Sequence, residues 1–206
     1  MHLSRFRLSR VFGILPLVCF CAVAQATLIE FTATLSGSAE SPPNASPGTG
    51  YTKVTYDDIA HSLRVEATFS GLTGTTTAAH IHAATALPGV GTASVATQTP
   101  SFIGFPLGVM AGSFDNTYDL TLAASFRAGY ITANGGTAAS AEVALVTAML
   151  DGKSYFNIHT STFGGGEIRG FLTKIPDDGS TTSLLALSLV ALIGIARSHR
   201  SKTARG

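Results

Sequence analysis

The sequence predicts a mainly β chain: a single antiparallel β-sandwich or flattened Greek-key barrel with one short helix, flanked by an N-terminal signal helix and a C-terminal transmembrane helix. Three observations carry this. Apolar and polar residues alternate along several short segments, Gly and Pro punctuate the stretches between them, and long apolar runs occur only at the two ends. A length of 206 residues holds one ordinary domain with additions and is short for two.

Residues 28–36 place Ile29, Phe31, Ala33 and Leu35 on one face and Glu30, Thr32, Thr34 and Ser36 on the other. Residues 62–70 repeat the pattern, with Leu63, Val65, Ala67 and Phe69 opposed to Arg64, Glu66 and Thr68. A period of two with one polar face marks half-buried antiparallel strands. The intervening Ser41-Pro42-Pro43-Asn44 and Ser46-Pro47-Gly48 read as loop, and 50–57 as a third strand ending in a turn at Asp57-Asp58. Further strands are expected at 76–83, 109–114, 118–123, 154–160 and 167–172. Residues 84–108 are small and Pro/Gly-punctuated, and read as a long loop that could act as a lid. The helix is expected from Ser140 as N-cap to Gly152 just beyond its end, with Val143, Val146 and Leu150 on its apolar stripe.

The ends read as addresses. Arg5, Arg7 and Arg10 precede an apolar run, and Ala24-Gln25-Ala26 follows it, the layout of a signal peptide covering 1–26. Both cysteines, Cys19 and Cys21, lie inside it. The mature chain is therefore expected to have no disulfide, no thiolate catalysis and no Cys-ligated zinc. At the other end, 175–206 combine Pro176, Asp177, Gly179 and Ser180 with a brief apolar helix and a basic end containing Arg197, Arg200, Lys202 and Arg205. That basic end is expected to stay on the cytoplasmic side, so the membrane is engaged at least transiently.

Residues 27–174 form the expected domain. Its six basic residues face ten acidic ones, leaving it mildly acidic although the whole chain is +1. No basic stripe is present, which argues against nucleic-acid binding. No Gly-x-Ser-x-Gly elbow or phosphate-binding glycine loop appears either, and the reading is non-enzymatic.

The chemistry-bearing residues share a parity. Ile81 as a core residue sends His80 and His82 to the opposite, outer face. Phe156 and Ile158 do the same for Tyr155, Asn157 and His159, and Ile168 for Glu167 and Arg169. Two His at i, i+2 on a strand lie about 6–7 Å apart, close enough to share an ion. His159 would complete a three-nitrogen copper or zinc site, with Glu167 as a fourth ligand or an acceptor for an imidazole N–H. The alternative is a satisfied polar network of His, Tyr155, Asn157 and Arg169 that pins the long loop. His61 reads as a solvent-exposed turn residue.

Four segments carry a resemblance. Leu35-Ser36-Gly37-Ser38-Ala39-Glu40-Ser41-Pro42-Pro43, Ala78-Ala79-His80-Ile81-His82, Tyr155-Phe156-Asn157-Ile158-His159-Thr160 and Gly166-Glu167-Ile168-Arg169-Gly170 resemble, in order, the CHRD domain named for chordin. The chain departs from that pattern at Ser41, where the family usually has Val, and between Ala83 and Phe105, which lacks the usual Gly-Pro. The resemblance implies an extracellular β-rich module with a binding or structural role at a cell surface or matrix. It would take an extracellular protein or polysaccharide ligand. The C-terminal end resembles the PEP-CTERM class of sorting tails in its Val-Pro-Asp-x-Gly-Ser variant, with Ile175 for Val. That implies signal peptidase and an exosortase-like enzyme as processing partners, and export to the envelope. The His-x-His and later His are also similar in layout to copper/zinc superoxide dismutase, whose bridging His, zinc ligands and disulfide have no counterpart here.

Overall fold

The computed structural model describes residues 27–176. The expected signal peptide, and the tail beyond Pro176 with Asp177, Gly179 and Ser180, lie outside the described residues. No helix among the described residues is long and apolar enough to cross a membrane.

The strands are β1 (Leu28–Ser36), β2 (Thr49–Asp57), β3 (Ser62–Ser70), β4 (Thr76–His82), β5 (Gly112–Asp119), β6 (Tyr155–Thr160), β7 (Ile168–Phe171) and β8 (Thr173–Lys174). All of them join one eight-stranded antiparallel sheet of order β4-β6-β7-β1-β2-β3-β5, with β8 beside β1. The sheet curls into a half-barrel around its apolar face, so the expected all-β domain is built from one sheet and not two. Phe31, Leu35, Val65, Ile81, Phe156 and Ile158 are fully buried there, each at the parity the alternation predicts. Glycine lets β7 approach β1: a Cβ on Gly170 would collide with the Thr34 carbonyl.

Three expectations need correction. A single strand, β5, replaces the two expected between 109 and 123, because it pairs with β3 from Gly112 to Asp119 without a break. Its outward Asp115 accepts two hydrogen bonds from Arg64, while Phe114 and Tyr118 turn inward. Among the described residues two α-helices are present instead of one, α1 (Ala128–Ala133) and α2 (Ala138–Leu150). In α2 the N-cap is Thr137, and Ser140 is its partner in a capping box. The buried stripe is Ala141, Glu142, Leu145, Ala148 and Met149, whereas Val143 and Leu150 are exposed.

Residues 83–111 do form a long connection, and it lies along the free edge of β4. Backbone N–H groups of Ala96, Phe102 and Gly108 donate to the carbonyls of Ile81, Ala79 and Thr76. Thr97 Oγ1 and Ser101 Oγ accept from the N–H groups of Ile81 and Ala79. From this connection Phe102 enters the core, its ring centroid 5.2 Å from Tyr118 and 6.0 Å from both Phe114 and Phe156. The carbonyl of Ile103 accepts from Tyr118 and Asn116 on β5. One irregular segment thus bridges the two edges of the curled sheet. It also protects an edge strand that would otherwise expose unpaired backbone groups.

Candidate metal centre

The β4–β6 register sets His82 opposite Tyr155, His80 opposite Asn157 and Ala78 opposite His159. The three imidazoles therefore gather on the face away from Ile81, Phe156 and Ile158. Their centroids are 5.2 Å (His80–His159), 5.8 Å (His80–His82) and 5.8 Å (His82–His159) apart. One ring nitrogen from each lies within 4.8 Å of the others. The face is outward with respect to the sheet, yet it is covered: His80 and His82 are buried and His159 is partly so.

The cover decides the chemistry of the rings. His80 Nε2 is 2.7 Å from the Pro100 carbonyl, His82 Nδ1 2.9 Å from that of Ala93, and His159 Nδ1 3.0 Å from that of Gly164. A carbonyl only accepts, so each of these nitrogens carries the proton and donates it. The other nitrogen then holds a lone pair in the neutral ring. Those nitrogens are His80 Nδ1, His82 Nε2 and His159 Nε2, and all three are buried without a hydrogen-bond partner. Burial depresses the basicity of all three rings, to a pKa of about 4 for His80 and His82, although the carbonyl contacts work against it. Three neutral imidazoles, with ring nitrogens within 4.8 Å of one another, thus each keep an unused lone pair at neutral pH.

This is the state a metal requires, with each imidazole oriented by a backbone acceptor on its far side. Nitrogens about 2.0–2.1 Å from a shared ion stand roughly 3.3–3.6 Å apart, so the present spacing needs only a modest contraction. Unpartnered buried acceptors are costly, at about 1–3 kcal/mol each. A shared cation satisfies all three at once.

The neighbouring residues form a stack. The Tyr155 ring lies 4.7 Å from His82 and nearly parallel to it, and the Arg169 guanidinium sits 4.6 Å over Tyr155 on β6. Arg169 is anchored by donating from Nε to the Ala39 carbonyl and from Nη1 to that of Gly91. Glu40, part of the Leu35–Pro43 motif, lies 3.8 Å from Arg169. Burial pushes the Glu40 carboxyl up to about 7, against the pull of Arg169. Asn157 is buried beside them. A Cβ on Gly166 would stand 2.7 Å from both Asn157 Oδ1 and Glu40 Oε1, and Gly166 has φ of +133°, so this position demands glycine on two counts.

Glu167 is not brought to the imidazoles. Its carboxylate is fully buried and points into a separate cluster, accepting from Ser46 Oγ (2.6 Å), Thr160 Oγ1 (2.6 Å), Thr73 Oγ1 (2.9 Å) and the N–H of Gly74 (3.3 Å). Burial alone would raise its pKa, but the bonds from Ser46, Thr160 and Thr73 outweigh it and hold the carboxyl below its usual range. Glu167 thus ties the 37–48 and 71–75 connections to the end of β6. Pro176 of the expected sorting motif is exposed and lies away from these clusters in sequence. His61 sits at a turn with φ of +50° and a half-exposed side chain, and it also pairs with Glu142, 2.9 Å away, which accepts from Tyr56 as well.

No curated protein and no solved structure matches the chain. The family model for the CHRD domain matches residues 31–172, which include every strand from β2 to β7, the three imidazoles and the covering connection, and the chain belongs to the CHRD domain family.

Proposed function

We propose that this protein is an exported CHRD module that holds one copper or zinc ion through His80, His82 and His159. One observation carries the reading. Three imidazoles, two of them buried and one partly so, each commit one nitrogen to a backbone carbonyl, leave the other nitrogen buried and unpartnered, and bring ring nitrogens within 4.8 Å of one another. A purely structural cluster would be expected to pair those nitrogens with donors.

Export is supported by the family's extracellular occurrence and by the basic, apolar and Ala24-Gln25-Ala26 sequence at the N-terminus. The same reading assigns signal peptidase to residues 1–26 and an exosortase-like enzyme to the tail from 175, with delivery to the cell surface or matrix. The bound ion would serve a surface module that recognises a protein or polysaccharide there.

Metal content of natively exported protein tests the proposal. About one equivalent of copper or zinc is expected in the unaltered protein, and little in a His80→Ala, His159→Ala double variant that is still folded by circular dichroism. Equal content in the two proteins ends the metal reading and leaves the cluster a structural one.

A further inference from the structure

Resting on the three-histidine reading, the choice between copper and zinc can be taken further. The donor set is three neutral nitrogens, and no Asp, Glu or Cys joins it among the described residues. The three lone-pair nitrogens have essentially no contact with solvent. Zinc prefers four ligands in a tetrahedron, completing a three-histidine set with water or a carboxylate. Cupric ion prefers four in a tetragonal arrangement. Cuprous ion has a filled d shell and a single charge, and three-coordination satisfies it.

Charge points the same way. A cation acts on the cluster: Arg169, stacked over Tyr155, which is itself stacked on His82, with Glu40 3.8 Å from the Arg169 Nε offsetting part of that charge. Glu167, the acid nearest in sequence to Arg169, spends its charge on Ser46, Thr73 and Thr160. The stack spacings of 4.6 and 4.7 Å put Arg169 no more than about 9 Å from the His82 ring. At an effective dielectric of about 20, a second unit of positive charge at that distance is disfavoured on the order of tenfold.

We infer that the site selects monovalent copper, held three-coordinate by His80 Nδ1, His82 Nε2 and His159 Nε2, over zinc and over divalent copper. The all-imidazole donor set, with no carboxylate in it, and the burial of the three unpartnered nitrogens carry the inference. Arg169 is a positioning and charge-setting residue that does not touch the ion.

The test uses the exported protein loaded with copper under a reductant, then freed of the reductant and exposed to air. X-ray absorption is expected to show three nitrogen neighbours and no fourth, and the sample is expected to stay silent in electron paramagnetic resonance. Cuprous and zinc affinities, each measured by chelator competition, are compared in the Arg169→Gln variant. The zinc affinity is expected to rise relative to the cuprous affinity on the order of tenfold, a ratio in which general loosening of the site cancels. A stable four-coordinate cupric signal, displacement of cuprous ion by equimolar zinc, or an unchanged ratio overturns the monovalent assignment while leaving the three-histidine centre standing. Failure to retain any metal, or retention undiminished in the His80→Ala, His159→Ala variant, overturns both.

Discussion

Replacing Phe102 by alanine removes the side chain that joins the covering connection to the core. Phe102 is 2% exposed and packs against rings from β5 and β6, at 5.2 Å from Tyr118 and 6.0 Å from Phe114 and Phe156. Truncating a buried Phe costs about 3–5 kcal/mol, and the stacked pairs place this site in the upper half of that range. Against a total stability of about 5–15 kcal/mol, a loss of about 4 kcal/mol leaves a folded but fragile domain. The same connection carries Pro100 and Ala93, whose carbonyls hold the His80 and His82 N–H groups. Loosening that hold is expected to weaken metal affinity about 10–100-fold, as loss of an outer acceptor does elsewhere. Phe102→Leu nearly keeps the volume, so it should cost less than about 1.5 kcal/mol and leave affinity close to normal. Urea unfolding of the metal-free protein, followed by circular dichroism and tyrosine fluorescence because the chain has no Trp, reads the first quantity. Chelator competition reads the second. An alanine variant less than about 1 kcal/mol weaker, or one that binds metal as tightly as the unaltered protein, would refute the claim that core packing of this residue positions the site.

Acid should destabilise the metal-free domain between pH 6.5 and 4. Burial depresses His80 and His82 from 6.5 to about 4, so the unfolded chain takes up protons first as pH falls; their contribution is full above pH 6.5 and lost on approach to 4. Glu40, raised from 4.5 to about 7, acts oppositely, because the folded state holds its proton longer as pH rises. Each group is worth at most about 3 kcal/mol, so two imidazoles against one carboxyl leave a net loss of about 3 kcal/mol, and Glu40→Gln should steepen it. Urea midpoints that do not fall from pH 7 to 4.5 would contradict this. For Glu167→Gln, loss of the charge-assisted bonds from Ser46, Thr73 and Thr160 should cost about 3 kcal/mol with metal content unchanged. A folded Gln variant that loses its metal would instead place Glu167 in the centre.

The strand parities were legible because a half-buried strand must alternate, and one inward aliphatic fixes the side of both its neighbours. Ile81 alone was enough to pair His80 with His82, and Phe156 and Ile158 to align Tyr155, Asn157 and His159. Glu167 escaped the same rule because it lies just before β7, after Gly166 at a φ only glycine favours, where alternation no longer governs direction. Of the expected α2 stripe Val146 packs partly against the core, whereas Val143 and Leu150 do not, because small residues line the buried side. Ala141 and Ala148 permit close packing beside Leu145 and Met149, while the bulkier Val143 faces solvent, so size ranking pointed to the wrong side. Two short strands were expected where β5 runs unbroken, because Asp115 and Asn116 look like a turn until Arg64 is placed beside them.

What no pattern could reveal is the source of the imidazoles' outer partners. Pro100, Ala93 and Gly164 contribute only main-chain carbonyls, so their side chains carry no trace of the role. Pro100 and Gly164 illustrate why irregular backbone is suited to it: within a regular strand a carbonyl is consumed by its ladder, whereas a loop carbonyl remains available to accept from a side chain. The connection from 83 to 111 uses that surplus twice. Some of its backbone groups complete the edge of β4, others orient His80 and His82, and Phe102, two residues after Pro100, enters the core. Its presence ties the state of the His80 and His82 rings to the packing of the barrel, so that any substitution loosening β4 from its cover should also return their lone-pair nitrogens to water.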